Sequence, residues 1–92
     1  MKFLGKVPVW SDEESATELL VYEPNEVWLK WWRMESQESR ETYENWRAEA
    51  LDDLNLWEEP EYSIAPGAIY HRYELEVING LILVWATTAI NV

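Results

Sequence analysis

The pattern of apolar and polar positions is clearest in the last third of the chain. Two β-prone runs, Ile69–Ile78 and Leu81–Ile90, flank the dipeptide Asn79-Gly80. Asn-Gly is the preferred centre of a two-residue type I′ turn, because both of its residues need a positive φ. The pattern therefore predicts a β-hairpin in which Ile78 faces Leu81. One face of that hairpin carries His71, Tyr73, Leu75, Val77, Ile82 and Val84, and the other carries Ile78, Leu81, Leu83 and Trp85.

The middle of the chain repeats its apolar residues with the period of an α-helix. They recur every three or four positions and form one stripe, which consists of Tyr43, Trp46, Ala50 and Leu54. Ser36 is a candidate N-cap, and Pro60 bars any continuation. The pattern predicts one long acidic helix over residues 36–54.

The N-terminal part contains three shorter runs. Residues 17–22 and 27–34 flank a turn-like tetrapeptide with Pro24 in its second position, which favours a hairpin. The alternative is that Asn25 caps a helix that runs towards Met34. Residues 3–10 read as a short strand, and Pro8 within it suits the edge of a sheet.

Together these elements predict a single α+β domain over residues 1–92. It consists of a small antiparallel sheet of four to five strands with one long acidic helix packed on one face. One helix covers one face only, so the second face of the C-terminal hairpin needs another explanation. Either the N-terminal segment folds over it, or it mediates self-association, most simply a two-fold dimer, through Ile78, Leu81, Leu83 and Trp85.

Composition changes this picture through charge. Eighteen Asp and Glu against seven Lys and Arg give a formal net charge of −11 in 92 residues. Because 48% of the residues are apolar and seven are Trp, the chain is not a disordered acidic tail. The absence of cysteine excludes disulfides and thiolate chemistry and fits a reducing cytoplasm. No run is long enough to span a membrane, so a cytoplasmic protein is expected.

The acidic residues gather in three clusters. Glu38, Glu41, Asn45, Glu49 and Asp52 fall in one row on the exposed side of the predicted helix, because residues three or four apart stack. The four acids of this acidic row, together with Glu35, Glu44 and Asp53 nearby, form the predicted partner-binding face. The secondary clusters are Asp12, Glu13, Glu14 and Glu18 before the helix and Glu58, Glu59 and Glu61 after it. The competing interpretation is a solvated surface that keeps a Trp-rich protein in solution.

The residues needed for catalysis are poorly represented. His71 is the single histidine and falls on the expected core face, where a structural role is the commoner one. The three glycines are scattered, so no phosphate-binding loop is formed, and no loop has the spacing of a calcium site. We therefore expect no enzyme activity, no cofactor and no metal. Trp28, Trp31 and Trp32 could stack on bases, but a nucleic-acid site also needs a basic groove, so core packing is expected and direct nucleic-acid binding is not.

In size, charge, lack of cysteine and the carboxylate-lined segment 38–53, the chain resembles small phage-encoded DNA-mimic inhibitors of the anti-restriction and anti-CRISPR type. That resemblance implies a non-catalytic protein that occupies the basic DNA-binding groove of a host defence or DNA-binding protein, often as a homodimer, in the host cytoplasm. Two alternatives remain. One is an immunity protein or antitoxin that neutralises a basic toxin, and the other is a structural or assembly subunit that uses the Trp-rich hairpin face.

Overall fold

The computed structural model describes residues 1–33, 39–60 and 63–91, and these form mostly a four-stranded antiparallel sheet with two short helices. The strands are β1 (Lys2–Ser11), β2 (Ser15–Glu23), β3 (Ile69–Ile78) and β4 (Leu81–Ile90), in the spatial order β1-β2-β4-β3. The helices are α1 (Glu26–Trp31) and α2 (Arg40–Asp53). The expected α+β fold with one long helix on one face is wrong, because the longer helix has 14 residues.

The C-terminal hairpin is confirmed with its predicted register. Ile78 faces Leu81, and the pairing continues in step to Ile69 opposite Ile90. Asn79 has a φ of 51° and Gly80 a φ of 75°, which are the left-handed conformations that a type I′ turn demands. The strand predicted over residues 3–10 is also present, as β1 at the edge of the sheet.

The segment after β2 is helical, so the strand predicted over residues 27–34 is wrong. Asn25 is the N-cap of α1, and its side chain accepts a hydrogen bond from the backbone N–H of Trp28 at 3.1 Å. This was the alternative that the sequence left open. Trp28, Trp31 and Trp32 stand three and four residues apart, and this spacing lets all three side chains pack against the core.

Helix α2 starts later than the sequence suggested. Its N-cap is Ser39, whose side chain accepts from the backbone N–H of Thr42. The predicted cap, Ser36, lies outside the described residues. At the other end, Asn55 has a φ of 57°, and the backbone N–H of Leu56 donates to the carbonyl of Leu51 at 2.9 Å. This is a Schellman motif, and it ends the helix where the sequence placed its end.

The two faces of the sheet differ in their environment. Side chains of β2, β3 and β4 form the covered face and share one buried cluster with α2: Tyr22, Trp46, Ala50, Leu51, Tyr73, Leu75, Ile82 and Val84. The opposite, open face carries Val7, Leu19, Val21, Leu83 and Trp85, with Glu74 and Glu76 beside them. The N-terminal segment pairs with β2 at the sheet edge, so the idea that it folds over this face is wrong. Among the described residues, no helix is both long and apolar enough to cross a membrane.

Candidate functional site

The acidic row lies on the exposed side of α2. Glu41, Asn45, Glu49 and Asp52 are all exposed, whereas Trp46, Ala50 and Leu51 on the opposite side are buried. None of the ion pairs found among the described residues involves Glu41, Glu49 or Asp52. The helix therefore presents three carboxylates to solvent that make no ion pair with any residue of the described ranges. Glu35 and Glu38, which the sequence placed in the same set, lie outside the described residues.

The two other predicted acids of this helix have partners. Glu44 lies 3.3 Å from the Arg40 guanidinium and 4.0 Å from that of Arg47. The Asp53 carboxylate is 3.9 Å from the N-terminal amine of Met1. Glu44 and Asp53 thus have part of their negative charge offset by cations of the same chain, unlike Glu41, Glu49 and Asp52 of the acidic row, which make none of the ion pairs found among the described residues.

Arg47 faces away from the acidic row and towards the outer edge of β3. Its Nε and Nη2 donate to the carbonyl of Tyr73 at 3.1 and 2.7 Å, and Nη2 also donates to Glu58 at 2.5 Å. Burial lowers the pKa of Arg47, but hydrogen bonding and charge attraction to Glu58 and Glu44 outweigh this and raise it. Arg47 is therefore committed to the edge of β3 and makes no ion pair with Glu41, Glu49 or Asp52.

Glu58 and Glu59 are structural groups, which the sequence did not indicate. Glu58 accepts the backbone N–H of Tyr73 at 2.8 Å, and Glu59 accepts the backbone N–H of His71 at 2.6 Å. These contacts, with those of Arg47 and of the Tyr43 hydroxyl on the Leu75 carbonyl, form an edge cap on β3. An unpaired strand edge invites association with another chain, and the cap occupies it.

His71 belongs to the same cap. Its Nδ1 lies 2.9 Å from the second carboxylate oxygen of Glu59. The side-chain and backbone hydrogen bonds from His71 lower the pKa of Glu59 from 4.5 to about 2, so this carboxylate stays ionised. His71 therefore has a partner in Glu59 within the edge cap.

The β1–β2 turn carries the other predicted acids. Asp12 accepts the backbone N–H groups of Glu14 and Ser15 at 2.8 and 2.9 Å, which lowers its pKa and shapes the turn. Glu13 and Glu14 are exposed, and Glu18 pairs loosely with Lys6 at 3.9 Å. Glu61 lies outside the described residues. This turn is thus a second exposed acidic segment, in which Asp12 has a local structural role.

The tryptophans of α1 pack with the rings of α2. Trp46 is fully buried, with the Trp32 ring centroid 4.8 Å away and that of Trp28 at 6.3 Å in an edge-to-face arrangement. Offset and edge-to-face contacts of this kind are the favoured geometries of aromatic pairs. These rings serve the core rather than an exposed stacking platform.

On the open face, the residues predicted for self-association are accessible to different degrees. Ile78 is 42% exposed, and Leu81, Leu83 and Trp85 are half-buried between neighbouring strands. The Trp85 indole Nε1 lies 3.4 Å from Glu76. The predicted register placed these four apolar residues on one face, and the structure confirms this. Glu74 and Glu76 lie on the same face beside Trp85 and Leu83.

Within the described ranges, no group of three or more His, Asp or Glu side chains is placed to hold a metal ion. No protein-family model, curated protein or solved structure matches the chain. The chemistry of the surface is therefore what bears on the function of this chain.

Proposed function

We propose that this chain is a non-catalytic inhibitor that occludes the basic, nucleic-acid-binding surface of a host defence or DNA-binding protein. The observation that supports it is the acidic row: Glu41, Glu49 and Asp52 are exposed on one side of α2 and have no ion-pair partner among the described residues. A net charge of −11 makes the whole molecule attract a cationic surface over a distance.

The spacing of the row suits a surface that binds phosphates. At about 1.5 Å per residue, Glu41 and Glu49 lie about 12 Å apart along the helix axis, and Glu49 and Asp52 about 4.5 Å. A DNA strand offers one phosphate per about 3.4 Å of axis. The acidic row therefore carries fewer negative charges than a DNA strand of similar length. Lys and Arg side chains are long enough to adjust to such differences.

The binding test is competition with DNA. A labelled duplex is bound to a panel of basic DNA-binding proteins, and the full chain is titrated in at increasing ionic strength. We expect displacement that weakens steeply with salt, because the attraction is between exposed charges. Displacement that stays constant from low to moderate salt would contradict the proposal.

Matched variants separate a specific surface from overall charge. The helix triple variant Glu41→Gln, Glu49→Gln, Asp52→Asn removes three charges from the acidic row. A control with Glu23→Gln, Glu74→Gln and Glu76→Gln removes three exposed charges from the other side of the sheet, and it is compared with the helix variant under conditions in which both have the same oligomeric state. We expect the helix variant to compete about ten-fold or more weakly and the control to change little. Equal losses in both would show that only net charge matters.

A further inference from the structure

Both edges of the sheet carry features that disfavour further strand pairing. The outer edge of β3 carries the edge cap, in which side chains satisfy the backbone groups of His71, Tyr73 and Leu75. On β1, the register is broken between Phe3 and Gly5 and again between Pro8 and Trp10. Bulges and a proline are devices that prevent edge-to-edge association. These features favour association through a face of the sheet over association through an edge.

The open face has a row of apolar side chains across its two inner strands. Leu19 of β2 faces Trp85 of β4, and Val21 faces Leu83. The outer strands differ from each other in charge. On this face β1 contributes Lys2, Val7 and Trp10 and no acid, and β3 contributes Glu74 and Glu76 with Arg72.

From this arrangement we propose that the open face binds a second copy of the chain, face to face, about a two-fold axis parallel to the strands. With the axis between β2 and β4, each β2 lies over the β4 of the other copy, so that Leu19 meets Trp85 and Val21 meets Leu83. Each β1 lies over a β3, which brings the acid-free strand to the strand that carries Glu74 and Glu76. The apolar centre of the face is thus complementary to itself, and no acid of β3 lies opposite another acid, with Lys2 placed diagonally from Glu76 of the other copy.

A two-fold axis perpendicular to the strands would be unfavourable. It would place β3 over the β3 of the other copy, and with the axis crossing at Leu75 the Glu74 of each copy would face the Glu76 of the other. Like charges held opposite each other in this way destabilise an interface. The charge pattern therefore selects the axis parallel to the strands.

The size of the face is sufficient for a dimer. Four strands about 4.8 Å apart and about ten residues long at about 3.4 Å per residue give roughly 650 Å² per copy. The two copies together would bury roughly 1,300 Å², near the lower end of the about 1,200–2,000 Å² typical of stable interfaces. Two chains of net charge −11 repel each other, so the dimer strengthens as salt screens that repulsion. This salt dependence is opposite in sign to that of the proposed inhibition.

Sedimentation equilibrium of the full chain at low and moderate salt tests the proposal. We expect a monomer–dimer equilibrium that shifts towards dimer with salt. Trp85→Glu should raise the dimer Kd about thirty-fold or more, as loss of a central aromatic anchor does. Trp57→Glu is the control, because Trp57 is 67% exposed in the loop after α2, and it should leave the dimer unchanged. A chain that stays monomeric in both salts, or a dimer that Trp85→Glu leaves intact, overturns the proposal.

A charge exchange gives a second readout that does not disturb the apolar centre. Lys2→Glu and Glu76→Lys each place like charges on facing outer strands, whereas the double variant restores opposite charges and keeps the original net charge. The double variant should recover the two- to five-fold in dimer Kd that an exposed ion pair contributes. Effects of the two changes that simply add would contradict the proposed axis. Because the acidic row lies on the other side of the sheet, failure here leaves the DNA-competition result unaffected.

Discussion

Arg47 is the side chain whose removal should most clearly expose how the β3 edge is held. It donates twice to the Tyr73 carbonyl and once to Glu58, which itself accepts the Tyr73 N–H. The Arg47 side chain is 16% exposed and that of Glu58 is 20% exposed. Arg47→Met keeps an apolar stem of similar length and deletes only the guanidinium.

The magnitude follows from the number and burial of the lost bonds. A hydrogen bond to a charged group contributes about 1.5–3 kcal/mol, and breaking a fully buried ion pair costs about 3–5 kcal/mol. Because water can reach this pair in part, we expect a loss of about 2 kcal/mol. For a domain of this size, that lowers Tm by roughly 8–16 °C.

Urea unfolding followed by circular dichroism measures this loss, with an unchanged m-value as the sign that the folded state is intact. A double-mutant cycle with Glu58→Gln isolates the pair and should give a coupling of about 1–2 kcal/mol. A loss under about 0.5 kcal/mol for Arg47→Met, or no coupling with Glu58, would refute the role assigned to the edge cap.

Three further predictions concern the cap and the turns. Glu59→Gln should destabilise the chain most above pH 4.5, where the Glu59 carboxylate is ionised in both the folded and the unfolded chain. The difference in Tm between this variant and the original chain should shrink as pH falls from 4.5 to about 2, because the carboxylate becomes protonated over that range. Gly80→Ala should cost about 1–2 kcal/mol in urea unfolding, since φ is 75° there although an added Cβ meets no atom. At Asn55, where φ is 57°, Asn55→Gly should raise the free energy of unfolding in urea and Asn55→Ala should lower it by about 1 kcal/mol. The opposite order at Asn55 would rule out the Schellman assignment.

The parts of the fold that the sequence predicted correctly are those set by local geometry. Asn79-Gly80 determines a two-residue turn, and that turn determines which residue of β3 faces which residue of β4. The same holds for the end of α2, where Asn55 adopts the left-handed conformation that stops a helix.

Where two local patterns competed, the sequence alone favoured the wrong one. Trp28, Trp31 and Trp32 fit both a weak alternation and a helical spacing, and the Asn25 cap decides for the helix. Before α2, Ser36 and Ser39 both have cap chemistry, but Thr42 completes the capping box only for Ser39. Thr42, three positions after Ser39, is therefore the residue that distinguishes the two candidate caps.

The edge cap could not be predicted because its contacts are not local. Glu58 bonds to a residue 15 positions away, and Arg47 bonds to one 26 positions away. In sequence, Glu58 and Glu59 look like any exposed acidic pair, and the sequence places them in a secondary acidic cluster. Only the antiparallel pairing of β3 brings its outward N–H groups within reach of these carboxylates.

Some acids of this chain, such as Glu58 and Glu59, make contacts that stabilise the fold, whereas Asp52 is exposed and makes none of the ion pairs found among the described residues. Substitution of Asp52 therefore tests why such exposed acids are present. It lies in the last turn of α2, where no base offsets the negative end of the helix dipole. Asp52→Asn should accordingly raise the free energy of unfolding by about 0.3–1 kcal/mol at low salt. If the acidic row binds a cationic protein, the same change should weaken displacement of DNA, so that stability and activity move in opposite directions. A carboxylate kept only for solubility should give the gain in stability with no loss of competition, and that outcome would refute the functional interpretation of the row.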